Sequence, residues 1–496
     1  FMRINILYSF CKRCQKPFAV RTKFLQYILE YKITNGVLVL KKVTNNGFIY
    51  TFGALGGLLF GYDIASVSGA ILFIEKQLHL GPWEQGWVVS SVLIGAIIGA
   101  LATSKFLDTY GRRKLLIWAS VIFFIGAITS GFAPNFEILV GTRVVLGIGV
   151  GITSALIPAY LHELAPKSMH GAVATMFQLM IMIGILLAYI LNYSFAHMYT
   201  GWRWMLGFAA LPAFILFIGA LFLPESPRFL VKIGHTEEAR EVLMDTNKHD
   251  AKAVDLALGE IEETAKAPVG GWKELFGKGV RPALITGLGV AIFQQVIGSN
   301  SVIFYAPTIF TDVGWGVIAA LLAHIGIGVV NVIVTVVAML LMDKVDRKKM
   351  LEFGAAGMGL SLVVMYTVLK FDNGSHTAAI VSALALTVYI AFYATTWAPV
   401  TWVLIGEVFP LNIRGLGTSL CSATNWLADM VVSLTFPMML SSWGLDNAFL
   451  FYAVICGIAI WVCHSKFLET RGKSLEEIEL DLHKAAGEDI TADASK

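Results

Sequence analysis

Asp63 is a carboxyl in the middle of one long apolar run, and Arg143 is a guanidinium in the middle of another. A charge at hydrocarbon depth costs about 2.5–3.5 kcal/mol even on insertion scales, so each needs a partner or a task. Two readings of Asp63 follow: a structural carboxylate permanently paired with Arg143, or a carboxyl that loads a proton on one side and releases it on the other. Gly53, Gly56, Gly57 and Gly61 surround it, small residues that let helices approach and leave room for a polar pocket. A second set is neutral. Gln178, Gln294, Gln295, Asn300, Asn331 and Asn425 are amides inside apolar runs, accompanied by Trp402 and Trp426. An amide both donates and accepts, which suits either interhelical hydrogen bonding or recognition of a solute rich in hydroxyls. Asp429, one turn after Asn425, and His324 complete the polar residues at depth. The first reads as a group facing a water-filled cavity or a structural hydrogen-bond partner, the second as a packing residue at the outer rim.

These residues must be held by elements that cross a membrane. The chain has 496 residues, of which 56% are hydrophobic and 14% charged, with a mean hydropathy of +0.71. A soluble core of this size could not hide so much apolar side chain. Twelve runs are long enough to cross about 30 Å of hydrocarbon as helices. Six span about 47–72, 85–107, 114–133, 137–161, 172–195 and 203–223, and six span about 281–306, 315–342, 351–370, 377–405, 416–440 and 446–467. None shows the apolar/polar alternation of a membrane barrel, so the expected fold is an all-α bundle of twelve transmembrane helices in two six-helix halves. On this topology 33 of the 37 Lys and Arg lie on one side, which places both termini in the cytoplasm of a multi-pass cell-membrane protein. The expected organisation is a tail over 1–46, a half over 47–223, a polar linker over 224–280, a second half over 281–467 and a tail over 468–496.

Several function classes drop out. A net charge of +3 reflects orientation, and no basic, aromatic-studded face suggests nucleic acid. Cys11 and Cys14 form a lone Cys-x-x-Cys pair with no second ligand set, so no metal is expected. No Walker A sequence and no catalytic constellation is present, and Gly147-x-Gly149-x-Gly151 lies inside an apolar run with no preceding strand. Neither an enzyme nor a bound cofactor is expected. Residues 1–46 show no signal-peptide pattern and are assigned no function.

The halves repeat one another. Asp108-Thr109-Tyr110-Gly111-Arg112-Arg113-Lys114 and Asp343-Lys344-Val345-Asp346-Arg347-Lys348-Lys349 each follow the second run of their half. Glu163-Leu164-Ala165-Pro166 pairs with Glu407-Val408-Phe409-Pro410, and Pro224-Glu225-Ser226-Pro227-Arg228 with Leu468-Glu469-Thr470-Arg471-Gly472; both pairs are 244 residues apart. Two parallel six-helix repeats explain this economically. The linker carries amphipathic stretches at 236–246 and 253–267, and Ser474 with Glu477 caps a further helix in the carboxyl tail.

Over about residues 47–482 these motifs resemble the sugar porter family of the major facilitator superfamily. The resemblance rests on Gly61-Tyr62-Asp63, Gly111-Arg112-Arg113, Pro224-Glu225-Ser226-Pro227-Arg228, Gln294-Gln295 with Asn300, and Glu407-Val408-Phe409-Pro410 with Arg414. The chain departs from the family where Asp346 replaces a glycine, His170 an arginine and Leu468 a proline. The resemblance implies proton-coupled symport of a pentose or hexose, with a passive facilitator or a sugar sensor as alternatives and the proton as coupling ion. By that resemblance Asp63 carries the proton and Arg143 is the partner that displaces it. Gln178, Gln294, Gln295, Asn300, Asn331, Trp402 and Asn425 bind the sugar, and Phe60, Tyr305 and Trp426 border or gate the pocket. Arg112, Arg113, Glu163, Glu225, Arg228, Arg347, Glu407, Arg414 and Glu469 form a cytoplasmic charge gate, with Pro307, Pro399 and Pro437 as kink points. The expected partners are a monosaccharide, the proton and membrane lipid, and the expected unit is a monomer.

Overall fold

A computed structural model describes residues 31–34, 37–40 and 46–471, apart from 167–169, 248–249, 267–269, 342–343, 372–374 and 411. The helix expected in the carboxyl tail and the Cys11/Cys14 pair lie outside the described residues, as does the side chain of His170. The first half consists of α1 (Asn46–Leu78), α2 (Pro82–Tyr110), α3 (Arg112–Gly131), α4 (Phe136–Leu164), α5 (His170–Phe195) and a broken sixth span made of α6 (Gly201–Gly207) and α7 (Ala210–Phe222). The linker folds into α8 (Pro227–Lys232), α9 (Thr236–Thr246), α10 (Ala251–Lys266) and α11 (Trp272–Leu275). The second half follows as α12 (Arg281–Val296), α13 (Ser299–Asp312), α14 (Val317–Leu341), α15 (Arg347–Phe371), α16 (His376–Thr395), α17 (Trp397–Glu407) and α18 (Arg414–Lys466).

Eleven described helical stretches are long and apolar enough to cross a membrane. The last of them, α18, contains Gly444 at φ 81°, ψ 161° and is two spans joined at that residue, which gives the twelve expected. Apolar side chains such as Trp118, Leu340, Leu360 and Trp461 remain exposed around the outside, as lipid contact requires. One short hairpin, Tyr31–Thr34 paired with Val37–Leu40, departs from an all-helical chain. The intervening Asn35-Gly36 dipeptide is the sequence signal for it, local turn chemistry that a search for apolar runs passes over.

The breaks in the spans are not where the prolines are. Pro307 and Pro437 lie inside continuous helices. The seventh span instead breaks between α12 and α13, where Gly298 takes φ +93°, and the tenth breaks at Thr396, between α16 and α17. Pro399 stands in the first turn of α17, where its missing N–H removes no helical bond.

Within the first half, helices approach at glycines. A Cβ on Gly95 would strike the Val144 carbonyl, one on Gly147 the Val92 carbonyl, and one on Gly151 the Ala96 carbonyl, so α2 and α4 touch backbone to backbone. Gly61 against Ile181 and Gly184 against Leu58 do the same for α1 and α5. These contacts fix the depth of Asp63 on α1 and Arg143 on α4. The two halves meet mainly at the end remote from the linker. There Gly86 of α2 lies against Leu434 of α18, and Gly328 of α14 against Leu186 and Tyr189 of α5. In the linker, Leu243, Val254 and Leu258 form a small core that packs α9 on α10.

Gly147→Val should cost about 1–3 kcal/mol by overpacking the α2–α4 contact. Its thermal midpoint in detergent should fall by several degrees, while Gly457→Ala, whose added Cβ meets nothing within 4 Å, should leave the midpoint unchanged.

Candidate functional site

The amides of the second half converge at the broken seventh span. Asn300 Nδ2 donates to Gln295 Oε1 at 2.9 Å, Gln295 Nε2 to Asn425 Oδ1 at 3.1 Å, and Asn425 Nδ2 to Gln294 Oε1 at 2.7 Å and the Ala291 carbonyl at 2.8 Å. Gln294 Nε2 reaches the Trp397 and Ala398 carbonyls, each at 3.4 Å. These two carbonyls belong to the first turn of α17, just past the break at Thr396. The same breaks supply other partners, since Ser299 Oγ donates to the Gln294 carbonyl at 2.9 Å and Tyr389 Oη to the Ile297 carbonyl at 3.0 Å. Four amides on three helices therefore form one continuous chain, nearly out of contact with bulk solvent.

Around this chain, Trp426 meets Phe60 of the first half edge to face at 5.4 Å. Tyr305 donates to the Ser433 carbonyl at 3.1 Å and packs on Phe436. Asn331 is buried on α14 and Gln178 half-buried on α5. Neither is joined to the amide chain by a hydrogen bond. Trp402 is 41% exposed, more than one turn along α17 from Trp397 toward the linker end, whereas Trp397 is buried and donates to the Leu351 carbonyl at 3.0 Å. His324 is buried and stacks on Tyr189 of the other half at 3.6 Å. It therefore packs in the seam between halves.

Asp63 and Arg143 face one another inside the first half, Oδ1 to Nη1 at 3.8 Å, with the side chains 2% and 1% exposed. The approach is that of an ion pair without a hydrogen bond. Among the described residues no acceptor lies within hydrogen-bond distance of the guanidinium nitrogens, and Asp63 Oδ2 has no donor. Such an arrangement is costly to keep and easy to leave.

The loop charges form two clusters at the linker end, one per half, built alike. In the first, Arg112 grips Glu163 with Nε and Nη2, both at 2.9 Å. Glu225 accepts the backbone N–H groups of Arg112 and Ser226 at 2.8 and 2.9 Å, capping α3, and the Ser226 hydroxyl donates to Glu163. In the second, Arg347 Nη2 lies 3.5 Å from Glu407. Glu469 accepts the N–H groups of Arg347 and Lys348 at 3.2 and 3.0 Å, capping α15, and Thr470 donates to Glu407 at 2.6 Å.

The expected gate across the halves is thus drawn differently here, because these pairs each join residues of one half. Arg113 spends its guanidinium on the Ala220 and Leu221 carbonyls at the end of α7. Arg414 Nε donates to the Phe409 carbonyl at 3.2 Å. Arg228 is exposed and makes no ion pair among the described residues. Asp346, where the repeat has glycine, takes Lys349 at 2.7 Å and Arg471 at 2.9 Å. Those hydrogen bonds hold its carboxyl below the usual range, so it stays charged at neutral pH.

Sequence reasoning missed two contributors. The backbone acceptors at Ala291, Trp397 and Ala398 exist because spans break, for which Gly298 was the available signal. The Asp429–Ser433 contact at 3.0 Å was hidden because position 429 matched no known role.

Comparison with known proteins agrees with this geometry. A family model described as sugar (and other) transporter matches residues 49–482. A D-xylose transporter of Levilactobacillus brevis is 61% identical over 450 residues, covering 91% of this chain and 98% of that protein. The arabinose-proton symporter of Escherichia coli K12 is 38% identical, over 90% of this chain and 94% of its own. Among solved structures, the inward open conformation of the xylose transporter XylE from E. coli superposes with a TM-score of 0.77 at 32% identity, covering 88% of this chain and 99% of that one. The same protein, described as a proton:xylose symporter and bound to 6-bromo-6-deoxy-D-glucose, gives 0.73. With its duplicated loop motifs, its twelve spans and a match over nearly the whole bundle, this chain is a multi-pass membrane protein of the sugar transporter family, within the major facilitator superfamily.

Proposed function

We propose that the protein imports a monosaccharide, D-xylose or a close relative, in symport with a proton and by alternating access. The observation that carries this reading is the buried amide chain of α12, α13 and α18, set in one half of the bundle while the Asp63–Arg143 pair lies in the other. Neutral amides match hydroxyls that both donate and accept, and the aromatic rings of Phe60, Trp402 and Trp426 suit the C–H face of a sugar ring. Gln178 and Asn331 complete the pocket when the halves approach. The 61% identical relative is a D-xylose transporter, and more distant ones are proton symporters of arabinose and galactose.

On this reading both termini and the linker are cytoplasmic. The halves, 47–223 and 281–467, touch at the outer end, so the conformation described is inward-facing. Asp63 carries a proton in one state and takes Arg143 as partner in another, and the open 3.8 Å approach is the geometry of a pair between tasks. The carboxylates Glu163, Glu225, Glu407 and Glu469 and the cations Arg112 and Arg347 hold each half in shape here. They re-pair across the halves when the cytoplasmic end closes, with Arg113, Arg228 and Arg414 at the rim. A monomer suffices, because every group invoked belongs to one chain, and the coupling ion is the proton alone.

In liposomes, D-xylose should drive alkalinisation of the external medium by the wild type. Asp63→Asn should abolish that proton signal while xylose exchange persists. Xylose entry into wild-type liposomes without proton movement would instead make the protein a passive facilitator.

For the gate, Arg112→Ala combined with Arg347→Ala should reduce net transport more than tenfold while sugar binding changes less than about threefold, as expected when a conformational equilibrium is shifted and the pocket is spared. Equal losses in both measurements would assign these arginines a purely structural role.

A further inference from the structure

One turn beyond Asn425, α18 brings a carboxyl to the open end of the amide chain. Asp429 is 1% exposed and accepts the Ser433 hydroxyl at 3.0 Å. The Asn300 amide is a second donor to the same carboxyl. The rest of the chain runs in one direction. The carbonyls of Ala291, Trp397 and Ala398 can only accept, so they fix which way Asn425 and Gln294 face. The orientation passes along the links already described to Gln295, whose Oε1 takes one N–H of Asn300. Asn300 is left with one N–H and its Oδ1 uncommitted, at the helix break where Gly298 turns the backbone.

We infer that Asp429 is a positioning residue for sugar recognition: it takes the remaining N–H of Asn300, so that Asn300 presents only its Oδ1, an acceptor, to a sugar hydroxyl. A carboxyl that receives two donors does not compete for that oxygen. An amide in its place could donate to Asn300 Oδ1 and occupy the very atom the sugar needs. The choice of acid over amide at position 429 would thereby decide the polarity of one hydroxyl contact, and hence which epimers bind well. This inference rests on the reading of Asn300 as a sugar ligand.

The test measures exchange KM and Vmax in liposomes for D-xylose, L-arabinose, D-glucose and D-galactose, with Asn300→Ala, Asp429→Asn and the double variant. Asn300→Ala should raise KM for the preferred sugar by about five- to tenfold, the loss of roughly one hydrogen bond. Asp429→Asn should raise it similarly, keep Vmax within about twofold, and change the ratios of KM among the four sugars. In the double variant KM should be no higher than in Asn300→Ala alone, because both changes remove the same contact. Asp429→Ser, too short to reach Asn300, should reproduce the shift and serves if the isosteric variant does not fold.

Wild-type KM in Asp429→Asn together with an impaired Asn300→Ala would overturn the positioning role alone. So would a loss of Vmax with KM unchanged, or additive effects in the double variant. Wild-type KM in Asn300→Ala would instead remove Asn300 from the sugar site, and the inference with it.

Discussion

A backbone polar group at hydrocarbon depth must find a partner inside the protein, and the organisation of this bundle follows from that requirement. Straight helices meet it alone. The seventh and tenth spans do not, because Gly298 and Thr396 interrupt them and free several carbonyls in mid-membrane. Side chains answer: Gln294 takes Trp397 and Ala398, Ser299 takes Gln294, and Tyr389 takes Ile297. The polar chain that can receive a solute is thus also what makes the broken helices tolerable. Removing an amide here affects helix geometry as well as recognition, which is why split measurements of binding and turnover are needed to read such variants.

The duplication seen in the loops recurs in three dimensions. Glu225 caps α3 as Glu469 caps α15, Arg112 meets Glu163 as Arg347 meets Glu407, and Ser226 supports Glu163 as Thr470 supports Glu407. Each half carries its own brace at the same corner, so each can turn as a unit. Asp346 shows how a departure is absorbed. A carboxylate replaces a glycine, and Lys349 and Arg471 close on it to form a local cluster without disturbing the Arg347–Glu407 pair.

Much of this was legible in the sequence. The apolar runs gave the span number because crossing hydrocarbon sets a minimum length, and the distribution of Lys and Arg gave one consistent topology. The burial of Asp63, Arg143 and the amides followed from their place within such runs. What did not follow was pairing. Span breaks depend on φ at single glycines and on tertiary rescue of the freed carbonyls, so prolines proved poor guides. Whether loop charges pair within or between halves depends on conformational state, which one sequence encodes for every state at once. The hairpin near residue 31 was local turn chemistry, missed because the search was tuned to long apolar periods.

The seam between the halves differs in kind from the contacts inside them. Within the first half, glycines bring carbonyls into direct contact and the helices are locked in register. Across the seam the contacts include ring faces, Tyr189 on His324 and Phe60 against Trp426. Aromatic pairs contribute only about 0.5–1.5 kcal/mol each beyond their buried area and can be surrendered without stranding a hydrogen-bonding group. Closure at one end is therefore a shallow equilibrium, and a solute that binds the two states with affinities differing by one or two hydrogen bonds carries enough free energy to decide which end of the bundle is open.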